Sequence, residues 1–223
     1  MTDQLSFPQP KKVSLIKENY FISKANCYAV SVIENWEVWP SQKLILFGPK
    51  ASGKTHLSNL WAKDVGATVL EATNLMEEQI SRLGNTPVVV ENIDKIQRNR
   101  PIELILFHLH NLLASEKKNL LMTSRLLPGR LRFTLEDLQS RVVASALARI
   151  EPIDDELLSA ILVKIFADRQ MFFPDKLLSY VLPRIERSYT ALHTFVEELD
   201  YRAMSENRPV GKELVRDILQ KEN

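Results

Sequence analysis

The stretch that most constrains this chain is "GPKASGKT", Gly48 to Thr55, which directly follows the apolar run "LILF" and precedes a segment of helical character. A G-x-x-x-x-G-K-T spacing between a strand and a helix dictates backbone shape before it dictates chemistry. Gly48 and Gly53 let the main chain turn so that successive N–H groups converge on one point, where a helix N-terminus adds partial positive charge. Pro49, Lys50, Ala51 and Ser52 complete the loop. Lys54 would reach the terminal phosphates of a nucleotide, and the Thr55 hydroxyl would ligate magnesium.

Downstream, the pattern matches what such a loop needs around it. Leu44 to Phe47, Thr68 to Leu70, Val88 to Val90, Leu120 to Met122 and Ala146 to Ile150 are strand-sized apolar runs bounded by polar or breaking residues. Between them lie segments such as Pro101 to Ser115, where Ile102, Ile105, Leu106, Leu109, Leu112 and Leu113 recur at helical spacing. That alternation predicts an α/β fold, a parallel sheet covered by helices on both faces. After Glu151-Pro152 only helical patterns remain: Leu157, Leu158, Ile161, Leu162, Ile165 and Phe166 form one stripe, and Leu192, Phe195, Val196 and Leu199 another. The expected division is an extended tail over 1–12, carrying Pro8, Pro10, Lys11 and Lys12, an α/β domain over 13–152 and a helical domain over 153–223.

Composition narrows the function classes. With 223 residues, 45% hydrophobic and 26% charged, the chain can bury one sizeable core and a smaller satellite. A net charge of +1 supplies no long-range field for polyanions, so nucleic-acid binding through bulk charge is not expected. Cys27 is the single cysteine and is read as a semi-buried apolar residue in a reducing compartment. The start, "MTDQLSFPQPKK", has no signal-peptide core, and no apolar run approaches a membrane span, so a cytoplasmic location is expected.

The run "VVVENID" raises the chemical question. The strand Val88 to Val90 is expected to lie beside the phosphate-loop strand and to deliver Glu91 to the metal side of the site. The next residue, Asn92, is an amide: it can hydrogen-bond a water but cannot accept its proton as a carboxylate does. Asp94 could compensate only if it pointed the same way. The expectation is a site that binds nucleotide and hydrolyses it poorly unaided.

Taken together, "NYFISKANCYAV", "GPKASGKTHL", "VVVENID", "NLLMTSR" and "DLQSRV" occur in the order of the AAA+ module of the DnaA/Hda family, and the resemblance covers about residues 15 to 220. It is closest to the Hda branch, through Asn92, through the chain's ending at Asn223 without a helix-turn-helix domain, and through "QLSFP". That pentamer, Gln4, Leu5, Ser6, Phe7 and Pro8, resembles the motif by which such proteins dock on the DNA polymerase sliding clamp. Leu5 and Phe7, two apart in an extended segment, can enter one apolar cleft while the Gln4 amide bonds at its rim.

The resemblance implies a P-loop AAA+ sheet with a small C-terminal all-α lid, holding ADP or ATP with Mg2+. It implies Ser124 as sensor 1, Arg141 as an arginine finger offered in trans, and His56 and Asn26 as nucleotide-side residues, with Tyr20 and Phe21 near the base. The family's lid arginine falls on Thr190 here, and Arg187, one helical turn earlier, is the substitute to consider. The implied function is a regulator that binds adenine nucleotide and the β sliding clamp and promotes ATP hydrolysis by the initiator DnaA, limiting re-initiation. DNA would be met mainly through the clamp, and a homodimer is left open. Two alternatives stand beside it: an AAA+ ATPase that loads helicases or remodels DNA, and a small-molecule P-loop kinase; Arg125, Arg130 and Arg132 form a local basic cluster, read first as a solvated loop and otherwise as a contact to a partner or to DNA.

Overall fold

The computed structural model describes Ile16 and residues 20–220; Gln4 to Pro8, with the rest of the expected tail, lie outside the described residues. The chain runs α1 (Cys27–Glu34), β1 (Lys43–Phe47), α2 (Lys54–Val65), β2 (Thr68–Glu71), α3 (Glu77–Leu83), β3 (Val88–Glu91), α4 (Arg100–Ser115), β4 (Leu120–Ser124), α5 (Glu136–Val143) and β5 (Ala146–Arg149). Helices α6 (Asp155–Asp168), α7 (Asp175–Val181), α8 (Tyr189–Ser205) and α9 (Lys212–Leu219) follow.

All strand pairs are parallel, in the order β2-β3-β4-β1-β5. Successive side chains of a strand point to opposite faces, and here both faces are covered. Leu44, Leu46, Val89 and Leu121 enter one core with Ile33 of α1 and Leu57, Leu60 and Trp61 of α2. Ile45, Phe47, Val88, Val90, Leu120 and Met122 enter the opposite core with Leu106, Leu109 and Leu113 of α4 and Leu138 and Val142 of α5. That two-sided burial is why the central strands read as unbroken apolar runs. The helices after Ile153 bury Leu158, Leu162, Phe195, Val196, Leu199 and Val215 on one another in a third core.

One expectation is corrected. β3 does not lie beside β1; β4 is inserted between them and pairs with both. A parallel neighbour is chosen by where the crossover helix seats, not by the strand's own residues, so the run of valines carried no information on its partner. A smaller correction concerns Cys27, which is exposed at the first turn of α1.

Candidate functional site

The turn after β1 leaves room for nothing larger than its glycines. A Cβ at Gly48 would stand 2.5 Å from the Ile150 carbonyl oxygen and 2.9 Å from Ser52 Oγ. Gly53 takes φ +93°, and a Cβ there would meet Tyr20 Oη at 2.9 Å. Between these fixed points the loop turns back on itself and α2 starts at Lys54.

The Lys54 ammonium is buried against that loop, donating to the carbonyls of Gly48 at 2.8 Å and Pro49 at 2.6 Å. Burial pushes its pKa down to about 8; the Arg125 cation adds to the effect, while Asp94 and Glu91 oppose it. A bound polyphosphate would restore the full charge. Thr55 Oγ1 lies 3.4 Å from Glu91 Oε2, and Ser58 Oγ, one turn along α2, donates to Glu91 Oε1 at 2.8 Å. Although β3 and β1 are not neighbours, α2 lies across β3 and β4, so Glu91 still meets the phosphate-loop helix.

The donor set fits a magnesium nucleotide. Backbone amides and Lys50 and Lys54 suit phosphate, while Thr55 and Glu91 supply the hard oxygens that magnesium prefers alongside phosphate and water. No group of three or more His, Cys, Asp or Glu side chains able to hold a metal by itself occurs among the described residues. When bound, the metal would supply charge neutralisation of the phosphates.

Asn92 sits at φ 60°, ψ 47°, a left-handed conformation that asparagine tolerates. Its backbone N–H donates to Thr123 Oγ1 at 2.9 Å, and its side-chain Nδ2 donates to Glu71 Oε2 at 2.8 Å. Glu71 is held in turn by Lys95 at 2.9 Å. Asp94 does not compensate, because its Oδ1 accepts the backbone N–H of Arg125 at 3.0 Å.

These residues open on a cleft of about 710 Å³ between the sheet's loop end and α6 and α8, within the usual range for a small-molecule site. Tyr20, Phe21, Asn26, residues 50–56, Asn59, Asn92 and Arg125 line one side; Ile161, Lys164, Asp168, Arg169, Tyr189 and His193 are among those lining the other. Asn26 shapes its edge, accepting from the Ser23 N–H and donating to the Phe21 carbonyl, both at 2.9 Å. The Tyr20 ring stacks on His56 at 5.5 Å, and burial raises its pKa to about 12 against the opposing hydrogen bond from Asn26.

Other expected residues fall elsewhere. The Ser124 hydroxyl is fully buried and closed on Leu126, donating to its carbonyl at 2.8 Å and accepting its N–H at 3.0 Å, so it does not face the cleft. Arg187 is no substitute lid cation: it pairs with Asp155 at 2.7 Å and bonds the Ile153 carbonyl at 3.3 Å. The α5 helix presents Arg141 to solvent outside its own chain's cleft, with no carboxylate partner among the described residues. The start of α5 is fixed by buried Glu103, which accepts from the N–H groups of Thr134 at 2.7 Å and Leu135 at 2.9 Å, from the Thr134 hydroxyl at 2.6 Å, and from the Arg98 N–H at 2.7 Å.

Sequence reasoning missed Glu71, Ser58, Thr123 and His193. Ser58 had a readable signal, lying one helical turn after Thr55. Glu71 became visible only in the strand register, directly opposite Glu91.

No family model matches the chain. Among solved structures it is similar to domain III of the Thermotoga maritima replication initiation protein DnaA, with TM-score 0.79 and 17% identity over 95% of this chain and 98% of that one. AMPPCP-bound DnaA from Aquifex aeolicus matches at TM-score 0.75 and 17% identity, over 96% and 70%. The Thermotoga maritima RuvB Holliday junction branch migration motor matches at 0.66 and 13%, over 87% and 65%. The chain thus spans about two thirds of the length of the longer relatives. At these identities the shared property is architecture, and the chain has the AAA+ P-loop fold of DnaA domain III.

Proposed function

We propose that this chain is a regulatory AAA+ protein of the Hda type. It binds adenine nucleotide with Mg2+ in the cleft, docks on the sliding clamp through Gln4 to Pro8, and offers Arg141 to ATP held by the initiator DnaA. The observation that carries this reading is the contrast at the end of β3. Glu91 is engaged with the phosphate-loop helix, while Asn92, an amide unable to take a proton, is tied to Glu71. A site that binds but lacks a base gains its use by helping another site. An exposed arginine without a carboxylate partner is suited to stabilising charge on a neighbour's transferring phosphate, an effect worth about 10³ to 10⁵ in rate in comparable systems. The tail would supply local concentration at the clamp.

Replacing Arg141 with Ala should abolish stimulated ATP hydrolysis by DnaA while leaving clamp capture intact; full stimulation by that variant refutes the assignment. A second reading, a DNA-remodelling ATPase, is favoured by Arg98, Arg100, Arg125, Arg130 and Arg132. All are exposed, Arg100 at the start of α4 and the others on the segments after β3 and β4, without carboxylate partners among the described residues. Turnover by the isolated protein that rises with DNA and ignores the clamp selects that reading instead.

A further inference from the structure

A row of aromatic rings joins the two sides of the cleft. Tyr20 stacks on His56, His56 on Tyr189 at 6.0 Å, and Tyr189 meets His193 at 4.4 Å. This ladder passes through the residue after Thr55 and ends one turn into α8, so it ties the phosphate end of the cleft to the helical lid. At its end, His193 Nε2 is screened from solvent and has no hydrogen-bond partner among the described residues. A screened polar nitrogen without a partner is uncommon in a folded protein, and a site wall is one place where such a group is completed by a ligand.

The surroundings specify what would complete it. Of the charged residues on the lid side, Arg169 is taken up by Glu197 at 3.0 Å and Asp200 at 3.6 Å. Asp168 faces Tyr189, whose pKa burial raises, with the Asp168 charge adding to it. Across the cleft stand Lys50, Lys54 and Arg125. Cations therefore outnumber carboxylates around the cavity, a field that favours an anionic oxygen over a hydroxyl. An imidazole turns in a broad torsional well about its outer bond, so the ring can present Nε2 to the cleft without movement of α8.

We propose that His193 is the lid's contact to the phosphate chain of a bound nucleoside di- or triphosphate, with Nε2 donating to a phosphate oxygen and the ring retaining its proton in the complex. This rests on the cleft being a nucleotide site. The ring packs against Tyr189 on its own helix; Lys164 and Asp168 on α6, with Arg169 just after it, line the same side of the cleft, and His56 on α2 meets Tyr189. A proton held more tightly in the complex than in the free protein makes affinity rise as pH falls through the imidazole range and decline as pH rises through it.

The test is calorimetric titration of the full chain with ADP and with ATP at about pH 6 and about pH 8, on either side of that range. Wild type, His193→Phe, His193→Gln and Lys54→Ala are compared, with thermal melts to establish folding. His193→Phe keeps a ring against Tyr189. It should bind about tenfold more weakly than wild type at the lower pH and nearly equally at the higher. His193→Gln, a neutral donor, should recover part of the affinity without its pH dependence and also serves if the Phe variant does not fold. Because the phosphates titrate too, the readout is the difference between wild type and variant. Equal affinity of wild type and His193→Phe at both pH values, or an equal loss at both, overturns the proposal. Failure of wild type to bind either nucleotide, or binding undiminished in Lys54→Ala, overturns the nucleotide-site reading itself.

Discussion

The Asn92 side-chain amide donates to Glu71 across the tips of two neighbouring parallel strands, with Nδ2 2.8 Å from Oε2. The contact fixes which way the amide faces, because an ionised carboxylate only accepts hydrogen bonds. Asn92 Oδ1 is thereby left to receive a water's hydrogen, a positioning contact without proton transfer.

Asn92→Asp would set two carboxylates against each other at this spot. Repulsion should cost about 1 kcal/mol in urea unfolding near neutral pH. It should fade below the ordinary carboxylate range, where protonation removes the like charge. Asn92→Asp combined with Glu71→Gln should recover the stability, and only that double variant should show intrinsic ATP hydrolysis raised about tenfold or more. Unchanged turnover in the stable double variant would dismiss the proposed role of the amide in limiting hydrolysis.

Lys54 predicts a pH limit on binding. Its ammonium is pushed down to about 8, chiefly by burial, and a polyphosphate raises it again. Binding therefore takes up a proton above that point: affinity holds below about pH 8 and declines as pH rises through it. Lys54→Met should weaken ATP by about 100-fold and flatten that decline, as read by fluorescent-nucleotide titration.

Glu91 separates metal from nucleotide. Glu91→Gln should leave magnesium-free nucleotide binding near wild type while removing most of the gain from added Mg2+, because the lost charge acts on the cation. Titrations with and without chelator give the comparison; equal Mg2+ enhancement in both proteins would remove Glu91 from the metal side.

Glu103 is a structural carboxylate with consequences for α5. Glu103→Ala strands the part-buried N–H groups of Thr134 and Leu135 and the Thr134 hydroxyl ahead of α5, with the Arg98 N–H ahead of α4, and should cost about 3 kcal/mol or more. Glu103→Gln keeps an acceptor and should cost less. Chemical unfolding measures both, and a surface-like loss below ~0.5 kcal/mol would show the network to be dispensable.

Lys43 offers a second pH signature, independent of nucleotide. It is buried at the start of β1 with its Nζ on the Lys118 carbonyl at 3.0 Å, and burial lowers it to about 8. The unfolded chain holds more protons between about pH 8 and the ordinary lysine value of about 10.4, so wild-type stability should gain from this group across that window. Lys43→Met should be at least as stable near neutral pH and lack that part of the rise in urea melts.

The central strands β1, β3 and β4 were legible because each is an apolar run buried on both faces, and Leu44 to Phe47, Thr68 to Leu70 and Val88 to Val90 fall within the observed β1, β2 and β3. Helix Pro101 to Ser115 was legible from its period and begins one residue earlier, at Arg100. The order of strands was not legible, since β4 enters between β1 and β3 by a crossover whose seat depends on both helical layers. The site divided in the same way. Gly48, Lys54 and Thr55 were readable as a contiguous motif, whereas Ser124, placed by motif position, is turned to Leu126, and Arg187, considered as a substitute one turn before Thr190, is turned to Asp155.

By itself the sequence determined the phosphate loop, the alternation of strand and helix, and the presence of an amide beside Glu91. These are local properties, set by glycine dihedrals, periodicity and side-chain chemistry within a few residues. Tertiary structure alone decided that Glu71 holds Asn92, that Ser58 holds Glu91, and that Tyr189 stacks on His56. Each of those contacts joins residues more than ten positions apart, and only burial and strand register can bring such groups within bonding distance.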